Sequence, residues 1–222
     1  MRRPALYWGT DPIYDEVVLL ADGIRVIVTD IGSVLFQFDP EHRFERLAER
    51  TGLLRGELER RLFDSGFEAR CEASEFTLGQ IRDQVADMTG FDGDVEELSR
   101  LWVSAFTLDA EVLETLASAG LPLAVFSNNG PLFADYFDER FPEAAKWFRH
   151  RYFACRLGAR KPAPEAYRRV EEQLGAALDA TSHQLLFIDD NRENTAAAAE
   201  RGWQVHTFTD AEALRSVLAH TG

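Results

Sequence analysis

Three apolar runs in the sequence end on polar side chains that could together carry out chemistry. Asp30 follows "RVIVT", Ser127 and Asn128 follow "LAVF", and Asp189 and Asp190 follow "QLLFI". Each run has the length and the β-branched or aromatic content of a buried strand. In an open parallel sheet, the carboxyl ends of the strands face a common crevice where ligands bind. We therefore expect these side chains to meet at one edge of a sheet.

The residue types at this edge suit phosphoryl transfer. A carboxylate such as Asp30 can attack phosphorus and form an aspartyl-phosphate. Mg²⁺ prefers oxygen ligands, and Asp30, Asp190 and the carbonyl oxygen of Gly32 could supply them. Ser127, with the backbone N–H that follows it, could hold a phosphate oxygen. Lys161, in the loop "LGARKPAPE", could stabilise the charge on the transferring group.

The elements that must position these residues have the pattern of alternating strands and helices. From residue 108 to the C-terminus the two patterns alternate, which favours a parallel sheet covered by helices on both faces. Between 38 and 107 the pattern is helical with glycine stops, and we expect a helical bundle without a strand. The predicted fold class is α/β. A Rossmann-like parallel sheet core spans 24–37 and 108–222, a helical-bundle cap is inserted at 38–107, and residues 1–23 are an N-terminal extension.

The composition restricts the class of protein and its partners. The chain of 222 residues has a formal net charge of -14, which argues against a nucleic-acid partner because phosphate backbones attract clustered Lys and Arg. No apolar run approaches the roughly 18 residues of a membrane span, and the N-terminus does not have the pattern of a signal peptide. Cys71 and Cys155 form no spaced metal motif and are expected to be free thiols. We expect a cytoplasmic monomer or homodimer that binds neither nucleic acid nor membranes.

Four motifs, in order along the chain, resemble those of the haloacid dehalogenase-like (HAD) hydrolases. The motifs are Asp30 in "VIVTDIGSVLF", Ser127 in "LAVFSNN", Lys161 in "LGARKPAPEAY", and Asp189, Asp190 and Asn194 in "FIDDNRENTAAA". The helical segment also lies where this family places its cap, between the first strand and the second motif. The resemblance covers residues 25–222 and is closest to bacterial sugar-phosphate phosphatases of the family.

The resemblance implies an enzyme, a Mg²⁺-dependent phosphatase. It would hydrolyse a small phosphorylated metabolite, such as a sugar phosphate, through an aspartyl-phosphate intermediate. The resemblance makes Asp30 the nucleophile and a metal ligand. Asp190 becomes a direct ligand, Gly32 a ligand through its carbonyl oxygen, and Asp189 and Asn194 supporting residues of the metal site.

The remaining roles concern the substrate. The resemblance assigns phosphoryl binding to Ser127 and Asn128, and charge stabilisation to Lys161. In this family a cap loop leans over the active site, and the stretch "GFEARCEAS" at 66–74 is a non-periodic break between helical patterns. We therefore expect Phe67, Glu68 and Arg70, all from this stretch, to contact the substrate.

One position departs from the phosphatase pattern. Most phosphatases of the family carry a second Asp two residues after the nucleophile, which protonates the leaving group and then activates water. Here that position is Gly32. A different acid such as His42 or Glu68, a substrate with a good leaving group, or a non-catalytic binding protein with the same fold would each account for the glycine. A metal-independent 2-haloacid dehalogenase would also account for the glycine, because a halide ion leaves without a proton. That branch lacks paired acids, so Asp189 and Asp190 favour the phosphatase.

Overall fold

Strands and helices alternate through most of the chain in the structure, a computed structural model that describes residues 23–219. Its strands are β1 (Val26–Thr29), β2 (Phe36–Phe38), β3 (Phe106–Leu108), β4 (Leu123–Ser127), β5 (Phe148–Phe153), β6 (Leu185–Asp189) and β7 (Gln204–Thr207). Five of them form a parallel sheet in the order β5-β4-β1-β6-β7. The predicted α/β fold class with a parallel sheet core is therefore confirmed.

Helices surround the sheet and fill the segment between β2 and β3. They are α1 (Pro40–Thr51), α2 (Arg55–Glu59), α3 (Phe67–Glu72), α4 (Leu78–Thr89), α5 (Val95–Val103), α6 (Ala110–Ser118), α7 (Pro131–Ala134), α8 (Phe137–Arg140), α9 (Pro142–Ala145), α10 (Ala154–Leu157), α11 (Pro164–Leu178), α12 (Arg192–Glu200) and α13 (Ala211–Leu218). A π-helical turn, Arg60–Asp64, continues α2, and a 3₁₀ turn, Ser182–Gln184, precedes β6.

Both faces of the sheet are covered, which explains why its central strands are continuous apolar runs. Ile27 of β1 packs in a core cluster with residues of α6 and α13 on one face. Val26 and Val28 belong to a second cluster with residues of α11 and α12 on the other face. All four residues of β1 are buried. In the central strand β1, a polar group that faces solvent or a ligand can therefore stand only beyond the end of the strand.

Helices α1 to α5, which we call the cap helices, have a hydrophobic core of their own. Phe44, Leu47 and Trp102 belong to it, together with Leu132 of α7. Helix boundaries follow local chemistry: Asp39 caps α1 by accepting a hydrogen bond from the N–H of His42, and Thr77 begins α4 with a capping box. The division into a sheet core, a cap and an extension with the predicted boundaries stays a prediction.

Two predictions about the segment 38–107 are corrected. An antiparallel ribbon of β2 and β3 closes this segment at both ends, so Phe38 and Phe106 lie in strands where none was expected. The stretch 66–74 is not a plain loop, because Phe67–Glu72 form α3. This helix is too short to show a helical period, and Gly66 precedes it in a left-handed conformation without a side-chain cap.

The predicted N-terminal extension, residues 1–23, lies outside the described residues except for Gly23. Within residues 23–219, no helix combines the length and the apolar character that crossing a membrane would require.

Candidate active site

Strand register brings the acidic residues together. Thr29 of β1 pairs with Ile188 of β6, so Asp30 and Asp189 each follow a residue of the same pair. The N–H of Asp30 also donates to the carbonyl oxygen of Ile188, at 2.8 Å. As a result, Asp30, Asp189 and Asp190 offer carboxylate oxygens that all lie within 4.8 Å of one another. The structure thus places three predicted metal-site residues at the carboxyl ends of two adjacent strands.

Lys161 lies between two of these carboxylates. Its Nζ is 2.9 Å from Oδ1 of Asp30 and 2.6 Å from Oδ2 of Asp189, and the lysine side chain is 1% exposed. The ammonium group also lies 5.2 Å from the ring centres of Phe126 and Phe187. Burial lowers the pKa of Lys161, but the charges of Asp30 and Asp189 outweigh it and raise the pKa above its usual value. The lysine is therefore a fixed positive charge beside the predicted nucleophile.

Asn128 holds the backbone of Lys161 with its side-chain amide. Its Nδ2 donates to the carbonyl oxygen of Lys161 and its Oδ1 accepts from the N–H of Lys161, both at 2.9 Å. Both ends of the side-chain amide are therefore engaged with Lys161, and the predicted phosphoryl contact of Asn128 stays a prediction. Ser127, the last residue of β4, is 4% exposed. No hydrogen-bond partner within residues 23–219 engages its hydroxyl, which leaves it available to a ligand.

Asp189 is fully buried and its two oxygens are occupied by donors. Besides Lys161, it accepts from Nδ2 of Asn194 at 3.0 and 3.1 Å and from the N–H of Asn191 at 2.9 Å. Asn194 is held in turn by the hydroxyl of Tyr167, which donates to its carbonyl oxygen at 2.8 Å. Burial raises the pKa of Asp189, and the charge of Lys161 opposes this rise. This arrangement fits a supporting role for Asp189 and Asn194.

Asp190 is exposed, so its carboxylate can reach a ligand in the crevice. Partial burial of this carboxylate raises its pKa, and the negative charge of Asp30 adds to the rise. Oδ1 of Asp30 is buried and has no hydrogen bond of acceptable geometry among the described residues, although Lys161 stands at ion-pair distance. A cation would relieve the repulsion between the two acids and coordinate this oxygen. An oxygen-only donor set with a net negative charge fits Mg²⁺.

Gly32 lies in the turn between β1 and β2, where it forms an isolated bridge with Phe36. A Cβ atom added to Gly32 would stand 3.8 Å from Cε1 of Phe106 and 4.0 Å from Cβ of Phe38. These are ordinary van der Waals distances, and the backbone of Gly32 is not in the left-handed region. Sterics at Cβ therefore do not explain the glycine at this position.

The predicted substrate contacts from the cap have different environments. Phe67 is 2% exposed and packs in the core of the cap helices, 5.8 Å from the ring of Phe76. Its predicted substrate contact is corrected, because an apolar ring is more stable in that core than in a polar crevice. The carboxylate of Glu68 pairs with buried Arg43 at 2.8 Å. Arg70 is half-exposed, pairs with Glu75 at 2.7 Å and covers the ring of Phe76.

Sequence reasoning did not identify two features of the site. One is the Asn128 amide that holds Lys161, and the other is an ion pair between Glu72 of α3 and Arg160. Arg160 stands directly before Lys161 in a motif, but its partner is 88 positions away, and no local pattern links the two. His42, the other predicted substitute acid, is exposed in the first turn of α1.

Comparison with known proteins identifies the family. A model of the haloacid dehalogenase-like hydrolases matches residues 24–202. Flavin mononucleotide hydrolase 1, a chloroplast protein of Arabidopsis thaliana, is 30% identical over 136 residues, which are 60% of this chain and 53% of that protein. The chain thus spans about half the length of this relative.

Solved structures with the same fold are more distant in sequence. A HAD family enzyme from Bacteroides thetaiotaomicron, in complex with magnesium and inorganic phosphate, is 21% identical with a TM-score of 0.69, over 84% of this chain and 95% of that chain. A HAD phosphatase from Thermococcus onnurineus is 14% identical with a TM-score of 0.58, over 89% and 99%. L-2-haloacid dehalogenase from Xanthobacter autotrophicus is 20% identical with a TM-score of 0.56, over 82% and 76%. At these identities the likeness concerns the fold alone.

The family model extends over most of the chain and includes all four motifs of the crevice, from Asp30 to Asn194. The predicted family and the prediction of a hydrolase are therefore confirmed: this chain belongs to the haloacid dehalogenase-like hydrolase family.

Proposed function

We propose that the protein is a Mg²⁺-dependent phosphatase that hydrolyses a small phosphorylated metabolite through an aspartyl-phosphate on Asp30. The observation that carries this proposal is the cluster of Asp30, Asp189 and Asp190 with oxygens within 4.8 Å, next to the ammonium group of Lys161. A phosphate dianion is repelled by one carboxylate and more strongly by three. The site therefore requires positive charge, which Lys161 supplies in part and which a divalent cation would complete.

Each residue of the site has its own role in the two steps of the reaction. Asp30 attacks phosphorus, the bond from phosphorus to the leaving oxygen breaks, and the phosphoryl group stays on the carboxylate. Water then attacks the aspartyl-phosphate, which releases inorganic phosphate and regenerates Asp30. Ser127 donates its hydroxyl hydrogen to a phosphoryl oxygen, and Lys161 reduces the repulsion between Asp30 and the substrate. When bound, Mg²⁺ would be held by Asp30, Asp190 and the Gly32 carbonyl and would neutralise charge on the phosphate.

Asp189 and Asn194 maintain the geometry of the site. Asp189 fixes the ammonium group of Lys161, while Asn194 and the N–H of Asn191 fix Asp189. Asn128 fixes the backbone of the same lysine. We infer that these residues orient the reacting groups without contacting the substrate through their side chains.

The glycine at position 32 restricts the leaving groups that the site can accept. Because no side chain there can donate a proton, phosphates whose leaving groups need little protonation should react best. Flavin mononucleotide, the substrate in the name of the Arabidopsis relative, is an alkyl phosphate, and sugar phosphates are the substrates implied by the motif resemblance. Both classes belong in a substrate screen, together with aryl and acyl phosphates.

A metal-independent 2-haloacid dehalogenase is the second candidate. The observation in its favour is Gly32, since halide leaves without a proton, and the fold is shared with the Xanthobacter dehalogenase. The exposed carboxylate of Asp190 beside Asp30 argues against it, because a second acid repels the carboxylate of a haloacid.

The deciding experiment measures phosphate release from sugar phosphates, flavin mononucleotide, aryl phosphates and acyl phosphates. Each substrate is assayed with added Mg²⁺ and with excess chelator. Halide release from 2-chloropropionate is measured in the same buffers. Phosphate release that requires Mg²⁺ supports the proposal. Halide release in chelator would establish the dehalogenase instead, and the absence of both reactions would favour a binding protein.

A further inference from the structure

One ion pair connects the cap helices to the loop that carries Lys161. Glu72 is the last residue of α3, and Arg160 stands immediately before Lys161. Nη2 of Arg160 lies 2.7 Å from Oε2 of Glu72, and the two side chains are 41% and 12% exposed. The pair therefore joins two parts of the fold that are far apart in the chain, at a position next to a catalytic residue.

Two further contacts seat the same end of α3 on the sheet core. The hydroxyl of Ser74 donates to the carbonyl oxygen of Cys155, at the start of α10. Cys71 lies against Gly130, because a Cβ atom added to this glycine would stand 3.4 Å from Cβ of Cys71. Gly130 is only two residues beyond Asn128. The C-terminal end of α3 is thus held between the loops that carry Asn128 and Lys161.

The position of Arg160 is transmitted to Lys161 through a restrained backbone. The N–H and the carbonyl oxygen of Lys161 are both held by the Asn128 side chain at 2.9 Å. The carbonyl oxygen of Arg160 accepts from the N–H of Ala163, also at 2.9 Å, which closes a tight turn. A shift of the Arg160 backbone would therefore act directly on Lys161, its neighbour in this short turn. Displacing Lys161 would move its ammonium group away from Asp30 and Asp189.

The charges around Glu72 explain why its buried carboxylate depends on Arg160. Glu68 on the same helix, buried Arg43 of α1 and Arg160 act on its carboxylate, and the thiols of Cys71 and Cys155 are the titratable groups beside it. Burial raises the pKa of Glu72 to about 7, the charge of Arg160 opposes this rise, and the charge of Glu68 adds to it. A largely buried carboxylate without its cation is strongly destabilising. Loss of Arg160 removes the cation that opposes this rise, and we expect it to weaken the seating of α3.

We propose that the Glu72–Arg160 ion pair is a latch that seats α3 on the catalytic loops and thereby positions Lys161. Glu72 and Arg160 are positioning residues in this proposal, since neither contacts Asp30. The effect on catalysis rests on the proposed phosphatase function, whereas the effect on the seating of α3 does not.

The test combines Arg160→Gln, Glu72→Gln and the charge-reversed double variant Glu72→Arg with Arg160→Glu. Arg156→Gln is the matched control, because Arg156 is 48% exposed and pairs at 3.0 Å with the exposed acid Asp135. Two quantities are measured: amide hydrogen exchange in 67–74 and 158–163, and kcat and KM for the best substrate. Circular dichroism checks the fold of every variant.

The latch predicts a specific pattern. Hydrogen exchange in 67–74 becomes at least about tenfold faster in both single variants, returns toward the wild-type rate in the reversed pair, and is unchanged in the control. In the single variants kcat falls by about tenfold or more, because Lys161 is misplaced. KM changes less, because the substrate pocket persists. Wild-type exchange rates in both single variants would overturn the seating of α3. Faster exchange with unchanged kcat would overturn the positioning of Lys161. A wild-type protein without phosphatase activity would refute the proposed function, while the exchange rates would still decide whether the pair holds α3.

Discussion

Nζ of Lys161 lies 2.6 Å from Oδ2 of Asp189, and the two side chains are 1% and 0% exposed. Such a pair is retained in the interior only when opposite charges and hydrogen bonds compensate for the lost water. Here Asp30 supplies a second negative charge beside the lysine, and Asn194 donates a hydrogen bond to Asp189. The lysine therefore contributes to the stability of the fold as well as to the charge of the crevice.

Replacing this lysine should reduce both stability and activity. We expect Lys161→Met to lower the free energy of unfolding by roughly 3–5 kcal/mol, because Asp189 would remain buried without its cation. The Lys161→Met variant should also lose phosphatase activity. Urea unfolding measures the change, and Lys146→Met, at an exposed lysine, is the control. Equal stabilities for the two variants would show that Asp189 does not depend on Lys161.

The nucleophile can be tested without changing the size of its side chain. Asp30→Asn removes the attacking carboxylate, and we expect turnover to fall by at least roughly 10³-fold. Circular dichroism should remain that of the wild type. Asp135→Asn, at an exposed acid that pairs with Arg156, provides the control and should retain activity. Near-normal turnover by the Asp30 variant would refute the aspartyl-phosphate route.

Metal binding should depend most on the exposed acid. Asp190→Asn removes a predicted ligand together with the negative charge that repels Asp30. We expect the Mg²⁺ concentration for half-maximal activity, and the dissociation constant of Mg²⁺ by calorimetry, to rise at least about tenfold. Glu193→Gln, at an exposed acid in the first turn of α12, should leave both unchanged. Full wild-type activity in excess chelator would contradict a role for the metal.

Glu72 should impose a pH dependence on stability. Its pKa is raised by burial to about 7 in the folded protein, against about 4.3 in an unfolded chain. The folded state therefore binds more protons between these values, so stability falls as the pH rises from about 4.3 to about 7. Between pH 4.5 and pH 8 we expect the wild type to lose on the order of 3 kcal/mol more than Glu72→Gln.

Urea unfolding of both proteins across this pH range measures the difference. Glu75→Gln, at an exposed acid paired with Arg70, is the control and should follow the wild type. Parallel stability curves for the wild type and the Glu72 variant would mean that Glu72 is not held in a buried environment.

The strand ends of this protein could be predicted from the sequence, because each buried strand is an apolar run that stops at a polar residue. A run such as "VIVT" is apolar at every position because both faces of the central strand are covered, so the first acid after it marks the edge of the sheet. The parallel order then brings Asp30, Ser127 and Asp189 to the same edge without further information. Fold class and family follow from these same residues.

The roles of side chains next to those positions could not be predicted in this way. Asn128 follows Ser127 at the strand end, but whether its amide faces a ligand or Lys161 depends on a loop 33 residues away. Phe67 lies in a stretch without periodicity, and its burial depends on packing against Phe76 in the cap helices. The strand at Phe106–Leu108 is only three residues long and is stabilised by pairing with β2, so its own sequence carries little signal.

Restoring an acid at position 32 should change which leaving groups the enzyme accepts. The site of Gly32 has room for a Cβ atom, with its nearest contacts at 3.8 and 4.0 Å, so the first atom of the Gly32→Asp side chain meets no steric obstacle. A positioned general acid typically contributes 10²–10⁴-fold, or roughly 3–5 kcal/mol, and most when the leaving group is a poor one. We expect the wild-type rate to fall steeply as the leaving-group pKa rises, from aryl to alkyl phosphates. Gly32→Asp should narrow this gap by accelerating the alkyl phosphates.

Single-turnover rates over a series of aryl and alkyl phosphates measure this dependence in both proteins. Gly32→Asn is the matched control, since it adds a side chain of the same size that cannot donate a carboxyl proton. It should keep the steep dependence of the wild type. A flat dependence in the wild type would mean that another residue already protonates the leaving group. His42 and Glu68 of the cap helices are the candidates to test in that case. The interpretation of Gly32 as a missing acid would then be wrong.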